Sequence, residues 1–426
     1  MKFTIQDTAV AYEPELFRKS FGFKGNKITG VWQTVVGLFV DNTIGVGLGI
    51  QSVLWSDSRV FSEFGEYESN RLMFSVTEFA VDAIKGKEFS TPDEIIKTVF
   101  SLCHEYANRV VGFPVTETFV LNALVPLDMA AWQLFARLGE KKDFDFIFKG
   151  NRKEQLLANV PLVNYSTTLD EVHNMAKNDV CLFKIKLGCD PDGDGDVNKM
   201  LAWDKERVSE IHSVLKNFST PFTENQHIAY YFDANGRYET KEQLKSLLVH
   251  FEKKGIAENT VLFEEPFSTD SDIYVGDLPI CFAADESIHS ISDVRQRISQ
   301  GYGAMTLKPI AKTLTVTREM ARIAQDSGVQ CFCADLTVNP LMVEWNKNFA
   351  ARLTPLHGMK IGVVESNGAQ NYINWEEMKS YVPRKSTETD ASIYTLDAGF
   401  YHNAGGLFEL SGHYISLLNK NNPRFQ

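Results

Sequence analysis

HIAYYFDANG (227–236), NTVLFEEPF (259–267) and LPICFAADES (278–287) decide how this chain is read. Each is a short apolar run that closes on a carboxylate: Asp233, Glu264 and Asp285. Short apolar runs bounded by turn residues read as buried strands. The three acids stand 31 and 21 residues apart, the spacing of successive strand-helix units. The same form recurs on either side, in ANVPLVNYS (158–166), VCLFKIKLG (180–188), GAMTLKPI (303–310), VQCFCADLTVN (329–339) and MKIGVVESNG (359–368). Between most of these runs lie amphipathic helical stretches, such as KERVSEIHSVLKNF (205–218), KEQLKSLLVHFEKKG (241–255), ISDVRQRISQG (291–301) and TVTREMARIAQDSG (315–328). Eight strand runs with helices between them predict an α/β fold, a (β/α)8 barrel of the modified TIM type, over residues 151–384.

Polar residues gather at the C-terminal ends of these runs: Lys184, Lys186, Asp233, Glu264, Asp285, Lys308, Asp335 and Glu365. In such barrels that end carries the active site. Any one of these residues alone could equally cap a helix or start a turn. So many in register need another reason, because buried charges are costly unless paired or metal-bound. Carboxylates on consecutive strand ends converge, and three oxygen ligands with open positions suit one Mg²⁺ ion, or Mn²⁺ in its place. The missing histidine argues against zinc or iron. Lys184 and Lys186 are two apart on a strand and share a face. Lys308 follows Asp285 by 23 residues, on the next strand, so lysines flank the acids on both sides. Neighbouring cations lower a lysine's proton affinity and let a neutral amine act as base. The metal would stabilise the enediolate left when a proton leaves the carbon next to a carboxylate.

Residues 1–150 read as a separate α+β domain. ITGVWQTVVGLFVDN (28–42) and TIGVGLG (43–49) look like antiparallel strands, and SNRLMFSVTEFAVDAIKGK (69–87), TPDEIIKTVFSLCHEYANRV (91–110) and NALVPLDMAAWQLFARLGEK (122–141) like helices. This domain is expected to cap the barrel, with SFGFKGNKITG (20–30) and WSDSRVFSEFGEYES (55–69) supplying specificity. The tail, about 385–426, is expected to return and complete it.

The 426 residues carry a net charge of −12, which disfavours nucleic acid and anionic membranes as partners. Six cysteines show no disulfide framework, and Cys331-x-Cys333 has no second pair to hold zinc, so reduced thiols in a cytoplasmic protein are expected. The N-terminus lacks the apolar core of a signal peptide, and no run of 18 apolar residues predicts a membrane span. DPDGDGD (190–196) resembles a calcium loop, but Leu201 falls where the bidentate Glu belongs. GVGLG (45–49) lacks the βαβ context of a dinucleotide fingerprint. Lys312, past Pro309, is expected to face solvent, and His357 to be an ordinary loop residue.

The strand series K-I-K, D-A-N-G, F-E-E-P, A-D-E-S and L-K-P resembles the enolase superfamily. It is most similar to the muconate lactonizing enzyme subgroup of the mandelate racemase/muconate lactonizing enzyme family, which includes dipeptide epimerases and o-succinylbenzoate synthases. LDMAAWQLFARLGE (127–140) is similar to that family's last capping helix. The resemblance implies Asp233, Glu264 and Asp285 as metal ligands, and Lys186 and Lys308 as bases on opposite faces. It implies that Lys184 supports Lys186 and touches the substrate carboxylate, and that Asn235 stands behind the first ligand. Superfamily sites pair a Lys or His base with Mg²⁺. The departures are an insertion around 190–226, Glu265 where Gln is usual, and G-V-G-L-G where an acid often follows the glycines. E-S-N-G (365–368) replaces the Asp-x-Asp with which dipeptide epimerases hold an amine, leaving Glu365, with Asp335, for substrate binding or a turn. The reading is a racemase or epimerase of an amino-acid derivative or similar small carboxylate, expected as a homo-oligomer. A cycloisomerase or acid-sugar dehydratase is the alternative, and a catalytically silent relative a third.

Overall fold

The computed structural model describes residues 2–23, 26–150, 152–384 and 389–422, and of 21–23 the backbone alone. Seven parallel strands follow one another in the sheet: Leu182–Lys186, Ala229–Asp233, Thr260–Glu264, Phe282–Ala284, Ala304–Leu307, Gln330–Cys333 and Gly362–Glu365. The first barrel strand is broken at Pro161, which has no N–H to give a ladder. Its halves face opposite neighbours: Leu156–Val160 pairs with Gly362–Glu365, and Leu162–Val163 with Leu182–Lys186. The Pro161 carbonyl accepts from the Lys184 amide at 3.2 Å, so the break closes the barrel.

The two-residue period sorts side chains between two environments. Leu182, Ala229, Tyr231, Leu262, Ala283, Ala304, Phe332 and Val363 fill the barrel interior. Phe183, Ile185, Phe232, Phe263, Met305, Leu307 and Val364 pack outward in the main core, where the helices lie. Continuing the inward rows by two residues reaches the mouth. The register sets Lys186 beside Asp233, and Asp233 beside Glu264.

The expected alternation differs in one unit. No helix joins Thr260–Glu264 to Phe282–Ala284. That stretch holds Pro266, Gly276, Pro279 and several Ser and Asp residues, which favour turns over helix. Buried Arg297 ties it down, donating to the carbonyls of Ser271 (2.7 Å) and Thr269.

The N-terminal region forms a three-stranded antiparallel sheet, Asp7–Phe23, Asn26–Val40 and Thr43–Ile50, against helices Ser58–Ile84, Pro92–Val111 and Glu117–Leu138. The first helix starts earlier than predicted, capped by Asp57 and kinked at Gly65. The glycines of 45–49 have a packing reason: a Cβ on Gly47 would lie 2.1 Å from backbone atoms of Ala130 and Pro126. The strand therefore lies directly on helix Glu117–Leu138. Among the described residues this helix alone is long and apolar enough to cross a membrane, and 94% of its most apolar window is buried inside the protein. Tail residues return to the cap: Gln133 donates to the Leu407 carbonyl (2.9 Å) and Asn421 to that of Val10 (2.9 Å).

One buried carboxylate joins the cap helix to the barrel. Asp128 accepts from the amides of Leu314 (2.7 Å) and Thr315 (3.1 Å) and from the Thr315 hydroxyl (2.6 Å). These groups open helix Leu314–Asp326, so the acid meets orphan N–H donors and a positive helix end. Trp132 adds a bond to the Thr315 hydroxyl at 3.0 Å. Asp128→Ala strands these buried donors and is expected to cost about 3 kcal/mol in urea unfolding. Asp128→Asn, which keeps an acceptor oxygen, should cost roughly half as much.

Candidate active site

Cap and barrel together line a cavity at the barrel mouth. Its floor carries Lys184, Lys186, Asp233, Asn235, Asp285, Glu286 and Lys308, with Asp335 and Glu365 on one side. The cap supplies a largely apolar roof that includes Phe17, Ile28, Val53, Leu54 and Trp55.

Lys184 lies at the centre, 4% exposed, with its Nζ 3.1 Å from Asp233 Oδ2 and 3.2 Å from both Glu264 Oε1 and Glu365 Oε2. Burial works against its charge, but Glu264 and Glu365 outweigh burial and hold it well above the ordinary lysine range. Lys186 bonds Asp233 Oδ2 at 2.5 Å and Asn235 Oδ1 at 2.6 Å. Across the barrel, Lys308 bonds Asp285 Oδ2; burial works against its charge, but Asp285 and then Glu286 outweigh burial and leave it raised. Glu264 is fully buried. It accepts from the Tyr231 hydroxyl and, at 2.8 Å, from Thr306. Burial, with Asp233 and Asp285 beside it, pushes Glu264 well above the carboxylate range despite Lys184.

A cation fits here. Ligand oxygens of Glu264, Asp285 and Glu286 lie within 4.8 Å of one another. Asp285 Oδ1 is buried and has no hydrogen-bond partner. The donors are all oxygen, which suits a hard divalent ion. Asp233 is on the adjoining strand and meets Glu264 through Lys184. Glu264, Asp285 and Glu286 make up the group that could hold the ion, and Asp233, expected from the sequence as the third ligand, stands beside that group across Lys184.

Other predicted residues have defined positions. Asn235 links Lys186 to Glu286, donating to Glu286 Oε1 at 2.8 Å. Asp335 has both oxygens on backbone amides, those of Leu336 and Val338 and that of Asn367. Glu365 is shared between Lys184 and, at 3.4 Å, the Asn367 amide group. Glu265 accepts from the amides of Asp285 (2.7 Å) and Ser287 (3.2 Å) and from the Ser287 hydroxyl (3.0 Å), bracing the loop that carries Asp285. Burial and Glu286 raise Glu265 to about 7. In DPDGDGD, Asp190 accepts from Gly193 and Gly195, and Asp196 caps helix Val197–Leu215. His357 is exposed and lines a different cavity, with Thr223, Asn259 and Cys281.

The solvent-facing expectation for Lys312 is overturned. It is 1% exposed and donates to the Asp285 carbonyl at 2.8 Å. Pro309–Lys312 forms a single helical turn, so Lys312 stacks over Lys308 on the same face. Burial, despite Asp285, lowers it to about 8. Tyr231, Thr306 and Glu286 went unread in the sequence, and Trp55 was read only as the first residue of a stretch expected to set specificity. Tyr231 and Thr306 each sit two residues before a chosen residue, and the strand period alone would have found them.

No family model matches the chain, and no curated protein does. Solved structures do match its fold. The L-Ala-D/L-Glu epimerase from Bacillus subtilis aligns with a TM-score of 0.68 at 15% identity, over 94% of this chain and 98% of that one. A dipeptide epimerase from Enterococcus faecalis V583, complexed with Mg and the dipeptide L-Leu-L-Tyr, gives 0.67 at 14% identity, over 95% and 99%. The N-succinyl Arg/Lys racemase from Bacillus cereus gives 0.65 at 16% identity, over 97% and 98%. The chain shares the fold of these racemases and epimerases. That fold is the modified TIM barrel with an N-terminal cap that the strand series predicted.

Glu264→Gln, Asp285→Asn and Asp233→Asn are each expected to weaken Mg²⁺ binding by about tenfold or more, measured by titration calorimetry. Glu286→Gln should weaken it by only about two- to threefold. Unchanged affinity in Asp285→Asn would remove the metal assignment.

Proposed function

We propose that this chain is an enolase-superfamily enzyme that removes the proton next to a small molecule's carboxylate and returns one to the same carbon, as a racemase or epimerase. One observation carries this reading. Lys186 and Lys308 end the second and sixth of eight barrel strands, which are opposite positions, and both line one cavity floored by carboxylates. A carbon held between them has an amine on either side. A divalent ion at Asp233, Glu264 and Asp285 would supply the positive charge that makes a carboxylate's α-proton acidic.

The chain's own residues divide the remaining work. Lys184, buried among carboxylates and held protonated, is a fixed cation for the substrate carboxylate. Lys186 and Lys308 move protons at Nζ, one accepting while the other donates. Asn235 orients Lys186 through its bond to that amine. The roof of Phe17, Ile28, Val53 and Leu54 excludes water from the reacting carbon. Asp335 and Glu365 already have partners, so neither offers an unengaged carboxylate to a substrate ammonium. We therefore read the substrate as a carboxylate with an uncharged, largely apolar substituent. Free cysteines, four of six buried, fit a reducing cytoplasm.

Cycloisomerisation or dehydration would share the first proton removal. A second lysine facing the carbon from the opposite side favours proton return. The test is exchange in D₂O with Mg²⁺ and a panel of N-acyl amino acids, dipeptides and acid sugars. Deuterium should enter the α-position of an uncharged N-acyl compound, with both enantiomers forming. Lys186→Ala and Lys308→Ala should each cut interconversion by about 10³-fold or more, since proton transfer is the step lost. Loss of water or ring closure without racemisation would replace this reading with the lyase or cycloisomerase one.

A further inference from the structure

One aromatic ring of the cap lies over an amine of the proposed catalytic centre. Trp55 lies on the single turn Val53–Ser56, and its ring centroid is 4.4 Å from Lys308 Nζ and 5.4 Å from Lys312 Nζ. Lys308 is 3% exposed, and its other close partner is Asp285. The amine is thus held between a carboxylate below and an indole face above. Lys186 differs: among the described residues its partners are Asp233 and Asn235, both from the barrel. The two proposed bases therefore depend on the cap unequally.

The turn itself is anchored. Asn122, on the long cap helix, accepts from the Ser52 amide at 2.8 Å and donates to the Ile50 carbonyl at 2.9 Å. Asp57 accepts from the Thr116 amide at 3.0 Å, and the Thr116 hydroxyl donates to the Ser56 carbonyl at 2.7 Å. Trp55 also lines both the main cavity and a second one, bounded by Arg59, Thr116, Thr118 and His289, that Lys308 does not line.

We propose that Trp55 is a positioning residue for Lys308: the cap's indole face fixes the sixth-strand amine and shields it, while Lys186 needs no cap residue. The inference rests on the racemase reading for its kinetic test and is independent of it for its chemical one. An aromatic face attracts an ammonium electrostatically, most strongly where water is excluded. Removing it frees the amine to turn into the side cavity and admits water beside it.

The kinetic test uses the Mg²⁺-loaded enzyme in D₂O with each enantiomer of an exchangeable carboxylate supplied separately. Lys308→Ala first identifies the enantiomer whose proton goes to Lys308. Trp55→Leu should then slow exchange from that enantiomer by about tenfold in kcat with KM little changed, which is the rate equivalent of one shielded cation–ring contact. Exchange from the other enantiomer should stay within about twofold, and Trp55→Phe should restore most of the loss. Equal loss from both enantiomers, or a change in KM alone, overturns the proposal. The chemical test is reductive methylation with labelled formaldehyde, mapped by mass spectrometry on protein shown by thermal melting to be folded. Methylation of Lys308 should rise several-fold in Trp55→Leu and that of Lys186 should not change. No rise at Lys308 overturns the proposal even if wild-type protein exchanges nothing. Absence of wild-type exchange with a rise at Lys308 overturns the racemase reading alone.

Discussion

A lysine buried among three carboxylates sets the terms for this fold. Lys184 has Asp233, Glu264 and Glu365 within 3.2 Å, and all four are almost wholly buried. A buried pair is weak stabilisation at best, because desolvation consumes most of the attraction. Here the acids of the mouth, Asp233, Glu264, Asp285, Glu286, Asp335 and Glu365, outnumber the lysines 184, 186, 308 and 312. One consequence is that Glu264 is driven strongly toward its protonated form, and another is that Asp285 keeps an oxygen that accepts no hydrogen bond. Stability alone does not account for such an arrangement. A divalent cation does, because it supplies the missing positive charge where the oxygens converge.

The rest of the structure serves to hold that cluster. The strand period divides each strand between barrel interior and outer core, and two further residues along the inward row stand the charged groups at the mouth. Pro161 closes the barrel at the strand next to Lys184. Glu265 braces the loop that carries Asp285, and Asn235 holds the amine of Lys186 at the end of its strand. Asp128 pins the cap helix to the start of the helix that follows Lys308, so the cap is registered to the strand whose amine it covers. Trp55 completes that link. Cap position and the state of Lys308 are in this way parts of one unit.

Much of this was legible in the sequence, and for physical reasons. Strand ends announce themselves because burial penalises a charge at the close of an apolar run, so a run that ends on one stands out. Eight such runs gave the barrel. The lysines at 184 and 186 were legible because the strand period is rigid. What escaped lay where periodicity stops. Phe282–Ala284 ends before Asp285, so Glu286 is on a loop, and alternation no longer tells which way it turns. Lys312 follows a proline that begins a helical turn, which brought it back over Lys308 instead of outward. The missing helix after Glu264 was hinted at only by turn-forming composition. Trp55 comes from a different domain, more than two hundred residues away in sequence, and no local signal could pair it with Lys308. Lys24 and Gly25 of the predicted specificity loop lie outside the described residues.

Whether the buried acids bind a divalent ion decides between this chemistry and none. The most direct measurement is a crystal structure grown with Mn²⁺, with the ion located from its anomalous scattering. The metal assignment predicts one strong peak in contact with Asp233, Glu264 and Asp285, at about the 2.1 Å expected of a hard octahedral ion, with Lys184 withdrawn from at least one of its carboxylates. A crystal with no such peak, and with Lys184 still bridging Asp233 and Glu264, would contradict it.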